Sequence, residues 1–264
     1  PLLLSACAAP PPRTAPGPAA QDAADVRIER IDREFDLPRG VTRVAIDNPW
    51  GEINVRGREE HEVGMHAVIQ RLPPRFAKPE FRSHREGDTL HIDIAFAGEP
   101  AGAQARAGRV DAAVYLPSQL AIALRARDSR IAANKRAGAI EATTDSGPII
   151  VSSRDRLVLH SRSGQIRAIA FGARWNGASE IESETGPIMV LVPTFGDITL
   201  HARTGGKLTT NFGLSVHRRD DVSESHARYG AGTSALSVRS TSGDIELEQM
   251  IRLGDDRTLP EDDD

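Results

Sequence analysis

A glycine-centred motif recurs through the second half of this chain and restricts its possible folds more than any other feature. Counted from the glycine, the pattern is apolar at −5, polar at −4, small at −3, Ser or Thr at −1 and Ile at +2, usually with an apolar residue at +4. Leu159-His160-Ser161-Arg162-Ser163-Gly164-Gln165-Ile166 is one copy, with others at Ile181 to Val190 around Gly186 and Val238 to Leu247 around Gly243. Thr143 to Val151 around Gly147 also fits, and Leu200 to Leu208 around Gly205 fits with one inserted residue. Around Gly51, Gly138 and Gly196 the secure elements are the glycine and the Ile at +2.

Side chains alternate between the two faces of a strand, so −5, −3 and −1 share one face. Positions +2 and +4 join that face only if the parity resets at the glycine, which makes the glycine a corner. The expected geometry is a positive φ or a bulge, conformations that a residue without Cβ adopts most readily. Small Ser and Thr before it suit a crowded inner bend, where hydroxyls bond neighbouring backbone. Gly147, Gly164 and Gly186 lie 17 and 22 residues apart, about one coil of a β-solenoid. Stacked coils bury a continuous column that no single repeat buries alone.

Elsewhere the chain alternates apolar and polar residues between Gly and Pro, as at Val44-Ala45-Ile46 and Leu90-His91-Ile92-Asp93-Ile94. No stretch holds a long 3.6-residue period, so the fold class is all-β. The expectation is a right-handed β-helix-like solenoid over 126–250 with corners at Gly51, Gly147, Gly164, Gly186, Gly196 and Gly243. An antiparallel β segment is expected over 26–125, where the repeats are weakest; a sandwich of antiparallel hairpins is the alternative architecture.

The N-terminal Leu2-Leu3-Leu4-Ser5-Ala6-Cys7 reads as the end of an apolar secretion signal followed by small residues and the sole cysteine. Residues 1–7 are thus read as a signal remnant and lipobox, with Cys7 lipidated, and the Ala/Pro-rich 8–25 as a disordered tether. Ala8, where Asp would resemble an inner-membrane retention signal, places the expected anchor at the outer membrane. Residues 251–264, ending Glu261-Asp262-Asp263-Asp264, read as a solvated acidic tail. One cysteine forms neither an internal disulfide nor a cysteine-based zinc site. Net charge is −4 with both signs mixed along the chain and 4% aromatic residues, which argues against nucleic acid as a partner and against sugar-stacking platforms.

The recurring [Ser/Thr]-Gly-x-Ile-x-[Val/Leu], with Phe35-Asp36-Leu37 and Val44 to Val55 upstream, resembles the putative-adhesin family of bacterial β-strand-repeat domains of unknown function. The resemblance covers most of 35–250. It implies a β-helix-like body on a cell-envelope protein and transfers no catalytic residue.

Tests for chemistry return mostly solvated faces. His160 and His201 share the −4 position of two repeats, with Glu182 between them at about 10 Å overall separation, enough for weak divalent-ion binding at most. His61-Glu62-Val63-Gly64-Met65-His66 lacks the four-residue helical spacing of zinc proteases. Ser146, Ser163 and Ser242 recur at one repeat position, which marks corner geometry over a nucleophile. Outward Arg162, Glu182, Glu184, Arg203 and Arg239 form an ordinary polar face, and 217–232 reads as a long surface loop suited to partner contacts. No catalytic residue, metal site or cofactor is expected. The leading expectation is an envelope-tethered, non-enzymatic binding or structural module, partnered by the membrane through its lipid and by an envelope protein or glycan. A glycan-active β-helix lyase or hydrolase is the first alternative, and an envelope-stress accessory protein contacting a membrane sensor the second.

Overall fold

Alternation of apolar and polar residues, broken by Gly, Pro, Asn and Ser, becomes strand and corner throughout the computed structural model, which describes residues 26–58, 62–73, 76–96, 108–172 and 174–250. Cys7, Ala8, the tether 8–25, His61 and the tail 251–264 lie outside the described residues. The first strands are β1 (Arg27–Phe35), β2 (Arg43–Asn48), β3 (Ile53–Arg58), β4 (Val63–Arg71), β5 (Pro79–Glu86), β6 (Thr89–Phe96) and β7 (Gly108–Pro117). Next come β8 (Ala121–Ala126), β9 (Ile131–Arg136), β10 (Ile140–Thr144), β11 (Ile149–Ser153), β12 (Leu157–Ser161), β13 (Ile166–Ala170) and β14 (Ala178–Ser183). The last are β15 (Ile188–Pro193), β16 (Ile198–Thr204), β17 (Leu208–Thr210), β18 (Val216–Arg219), β19 (Val222–Tyr229), β20 (Ser234–Ser240) and β21 (Ile245–Met250).

These strands form two sheets. Sheet A runs β1-β4-β7-β3-β9-β11-β13-β15-β21-β17, and sheet B runs β18-β19-β16-β20-β14-β12-β10-β8-β2-β6-β5. From β8 to β15 the chain alternates between them, so each parallel neighbour is reached by crossing the other sheet, the crossover that parallel pairing requires. Coils stack in the order β6/β7, β2/β3, β8/β9, β10/β11, β12/β13, β14/β15, β20/β21, β16/β17. Chain order and stacking order part at both ends: β6/β7 lies outside β2/β3, and β20/β21 slots between β14/β15 and β16/β17.

The antiparallel pairing expected over 26–125 is present in β1-β4-β7 and β5-β6. Yet β2, β3, β6, β7 and β8 pair in parallel with their neighbours, so both sheets continue unbroken across residue 125. The solenoid therefore begins far earlier than the strong repeats, and a separate hairpin sandwich is ruled out for this segment.

Inward positions build columns. The +2 residues Ile53, Ile131, Ile149, Ile166, Ile188, Ile245 and Leu208 are all buried and stack along sheet A. Val55, Ala133, Val151, Ala168, Val190 and Leu247 repeat this at +4. Each fully buried Ile contributes about 1.5–3 kcal/mol of transfer free energy, so the columns dominate stability.

Of the two corner geometries expected, positive φ is not the one the repeat glycines adopt. Positive φ among glycines falls at Gly40, Gly87, Gly177, Gly230 and Gly232, not at the repeat positions. Crowding between coils demands glycine there instead: a Cβ on Gly164 would lie 2.1 Å from the Gly147 carbonyl oxygen, on Gly186 2.2 Å from that of Gly164, and on Gly243 2.2 Å from that of Gly186. Gly147 and Gly51 face the carbonyls of Ser129 and Val110 in the same way, at 1.9 and 1.7 Å. Gly196 is buried at a corner of the opposite kind, between β15 and β16.

The hydroxyl that serves this corner is at −3, while −1 is exposed because the strand ends at −3. The N–H groups of Gly147, Gly164, Gly186 and Gly243 donate to Thr144 Oγ1, Ser161 Oγ, Ser183 Oγ and Ser240 Oγ at 3.0, 2.8, 2.9 and 2.9 Å. A buried N–H thus finds an acceptor without widening the stack.

Residues 217–232, expected as a loop, instead hold most of the β18-β19 hairpin, which extends sheet B. Asp220 and Asp221 make its two-residue turn at φ 48° and 64°, a conformation Asp tolerates better than most residues. The charge run hid a strand whose inward residues, Ser223 and Ser225, are small and polar.

Candidate functional site

Outward positions of the repeat fall on the solvent face of sheet B, and the register aligns them into rows. One row reads Arg82, Asp93, Asp47, Arg125, Thr143, His160, Glu182, Arg239, Arg203, Glu224, His217 across the sheet. A parallel row holds His84, His91, Ala45, Ala123, Glu141, Val158, Glu180, Ser237, His201 and His226. Six of the chain's eight histidines thereby share one face.

This register corrects the pairing of His160 with His201. His160 stands beside Glu182, but His201 aligns with Ser237 and His226 in the adjoining row, two residues from the position that counting from Gly205 gives it, because β16 runs on to Thr204 before its corner. Three strand spacings, about 14 Å, separate the two strands. They cannot share one ion with Glu182 as a column.

A groove of about 840 Å³ runs across β10, β12, β14, β20 and β16, lined by His160, Arg162, Glu182, Glu184, His201, Arg203 and Arg239 among others. Its charges are mutually engaged: Glu182 lies 3.6 Å from His160 Nδ1 and 3.7 Å from Arg239 Nη1, and Arg162 lies 3.7 Å from Asp145. His201 Nε2 sits 2.6 Å from Glu224 Oε1, and this bond holds the Glu224 carboxyl below the usual carboxylate range. The lining contains no Phe, Tyr or Trp.

A second cleft, of about 450 Å³, opens near β2, β6 and β8 around Asp47, His91, Asp93, Arg125, Glu141 and Thr143. Burial pushes the Asp47 carboxyl upward, Arg125 opposes that, and the neighbouring Asp93 adds to it.

The serines behave as corner residues. Ser146 Oγ donates to Asp128 at 2.9 Å, and Ser163 and Ser242 Oγ reach the carbonyls of Asp145 and Glu184 at 3.4 and 3.5 Å. His66 belongs to sheet A, 2.7 Å from Asp32.

Sequence reasoning missed Arg136, which is fully buried between the sheets. Lys135, at φ 55°, begins an irregularity in the pairing of β9 with β11 that turns the next side chain inward. The Arg136 guanidinium donates to the carbonyls of Leu116, Pro117 and Leu120 at 3.3, 2.6 and 3.1 Å. Burial pushes its pKa down to about 10, which leaves it charged at neutral pH. Its role is to hold the β7-β8 corner, away from both clefts.

Fold and grooves together define a two-sheet β-solenoid with one polar, histidine-rich face. No family model matches the chain, and no curated protein does. Among solved structures it is similar to a putative cell adhesion protein from Clostridium sporogenes, 15% identical over 85% of this chain and 100% of that one, TM-score 0.49. A putative adhesin from Bacteroides fragilis is 11% identical over 84% and 97% of the two chains, TM-score 0.33. One from Parabacteroides distasonis is 9% identical over 83% and 97%, TM-score 0.24.

Proposed function

We propose that this chain is an adhesin-like, non-enzymatic binding module of the cell envelope, carried on a lipid at Cys7 and the tether 8–25, which takes an extended polypeptide segment of an envelope partner on the outer face of sheet B. The observation that carries the reading is the groove across five parallel strands, where both signs of charge recur at strand spacing and no aromatic platform is present. Regular ion-pairing groups on a rigid surface suit an extended chain with charges of its own.

Cross-linking of envelope partners, run beside a glycan-binding screen, tests this with native protein and the triple variant His160→Ala, Arg203→Ala, Arg239→Ala. A protein partner lost in the variant supports the reading, whereas capture unchanged by the substitutions, or glycan binding alone, sinks it. Palmitate labelling of full-length protein tests the anchor: Cys7→Ala should lose both label and membrane fractionation.

One observation favours the glycan-active alternative. Asp47 and Asp93 are paired carboxylates in a cleft, and the raised Asp47 is the kind of group that serves as a general acid. Depolymerisation of envelope polysaccharide that disappears in Asp47→Asn would transfer the function to this cleft.

A further inference from the structure

We propose that the β5-β6 hairpin carries a binding site for a divalent ion of the zinc class, with His84, Glu86 and His91 as ligands. The turn makes the site. Glu86 pairs with Thr89 across Gly87-Asp88, and Gly87 at φ 60° fits the first position of a two-residue II′ turn. That fixed register sets His84 directly opposite His91, while Glu86, two residues along β5, shares their face.

The imidazoles already lie against each other, with ring centroids 4.8 Å apart and planes 12° from parallel. Glu86 Oε2 is 3.7 Å from His91 Nε2, and one ligand atom from each of the three residues falls within 4.8 Å of the others. A tetrahedral ion with bonds of about 2.1 Å separates two ligand atoms by about 3.4 Å, so small side-chain rotations close the set. No other group of three such residues meets this criterion among the described residues.

Two neutral imidazoles and a carboxylate select zinc, cobalt, nickel or copper over magnesium and calcium, which take oxygen ligands. Asp93 Oδ2 lies 3.7 Å from His84 Nδ1, on the side where an outer carboxylate orients a ligating imidazole through its second nitrogen. Three protein ligands leave a fourth position open. His91 and Asp93 also line the smaller cleft, so that position borders it. The proposal is independent of the groove and of the adhesin-like reading.

Cobalt titration of the full chain, followed by visible absorption and by competition with zinc, tests the site. The expected result is one cobalt per chain, displaced by zinc and insensitive to millimolar magnesium. His84→Ala and His91→Ala should each weaken binding at least tenfold and the pair should abolish it, while His160→Ala and His201→Ala leave it unchanged. Thermal melting of each variant in chelator checks its folding, and the closer-sized His84→Asn and His91→Asn repeat the test should an Ala variant fail to fold. Absence of saturable one-to-one binding, or binding that survives in a folded His84/His91 double variant, overturns the site. So does binding lost in His160→Ala.

Discussion

Corners leading from sheet B to sheet A contain four residues at 49–52, 127–130, 145–148, 162–165, 184–187 and 241–244, and three at 205–207. Corners running the other way contain three at 118–120, 137–139 and 154–156, four at 194–197 and seven at 171–177. Equal corners stack backbone on backbone, and at Gly51, Gly147, Gly164, Gly186 and Gly243 the space shrinks until a Cβ no longer fits, while Ser129 takes the place in 127–130. The opposite corners share no such motif, although Gly138 and Gly172 are crowded by carbonyls of the neighbouring coil in the same way, and several are closed by a device of their own. Arg136 gathers three carbonyls beneath one, Ser153 Oγ donates to the Gly138 carbonyl at 2.7 Å beside another, and the Trp175 indole reaches the Ala235 carbonyl at 3.3 Å near the longest. A corner repeated in both length and motif mostly keeps one residue type; corners that share length alone, or neither, are held by single, unrepeated residues.

The largest effect should come from breaking the regular corner. Gly164→Val places its side chain against the Gly147 carbonyl and should cost about 3 kcal/mol or more in chemical denaturation. Gly213→Ala, with no atom within 4 Å of the new Cβ, should change stability by less than about 0.5 kcal/mol. Equal losses from the two would show that backbone entropy, not coil spacing, explains the repeat glycines.

At the opposite corners, Arg136→Ala removes a charged donor from three carbonyls, of which that of Pro117 keeps only the Leu120 N–H at 3.3 Å, and should cost about 2–4 kcal/mol. Hydrogen exchange should then rise first at the amides of 118–122 and 137–140, and a uniform rise along the solenoid would contradict a local clamp.

Ser161→Ala leaves the Gly164 N–H without its acceptor, so about 1–2 kcal/mol is expected. Ser161→Thr should recover most of it, since Thr144 fills the same position one coil away. The smallest effect belongs to the outward residues: Arg162→Ala and Glu184→Ala should each stay below about 0.5 kcal/mol, being exposed side chains with weak ion pairs at best. Larger losses there would mean that the polar face carries structure as well as ligand contacts.

Legibility followed the same division. Leu159, Ile166, Ile181 and Ile188 could be placed inward from spacing alone, because a two-residue period leaves each side chain one of two faces. His84 and His91 could not be joined, since they are seven residues apart and meet through a hairpin register that the turn at Gly87 sets. Counting from Gly205 misaligns His201 with His160, since it puts Ala202 at −3, where the register of β16 with β20 has Thr204.

What the sequence alone determined about this protein is therefore local and periodic: all-β character, which side chains point inward, and a glycine at five of the six four-residue corners leading from sheet B to sheet A. What the tertiary structure decided is everything that depends on strands distant in the chain becoming neighbours. The insertion of β20/β21 between β14/β15 and β16/β17, the burial of Arg136, the rows of charge on sheet B and the histidine pair on the β5-β6 hairpin are of this kind. The physical reason is that a repeat specifies its own inward face, whereas the choice of neighbouring coil is settled by which stacked columns and corners fit together, a property of pairs that no single repeat encodes.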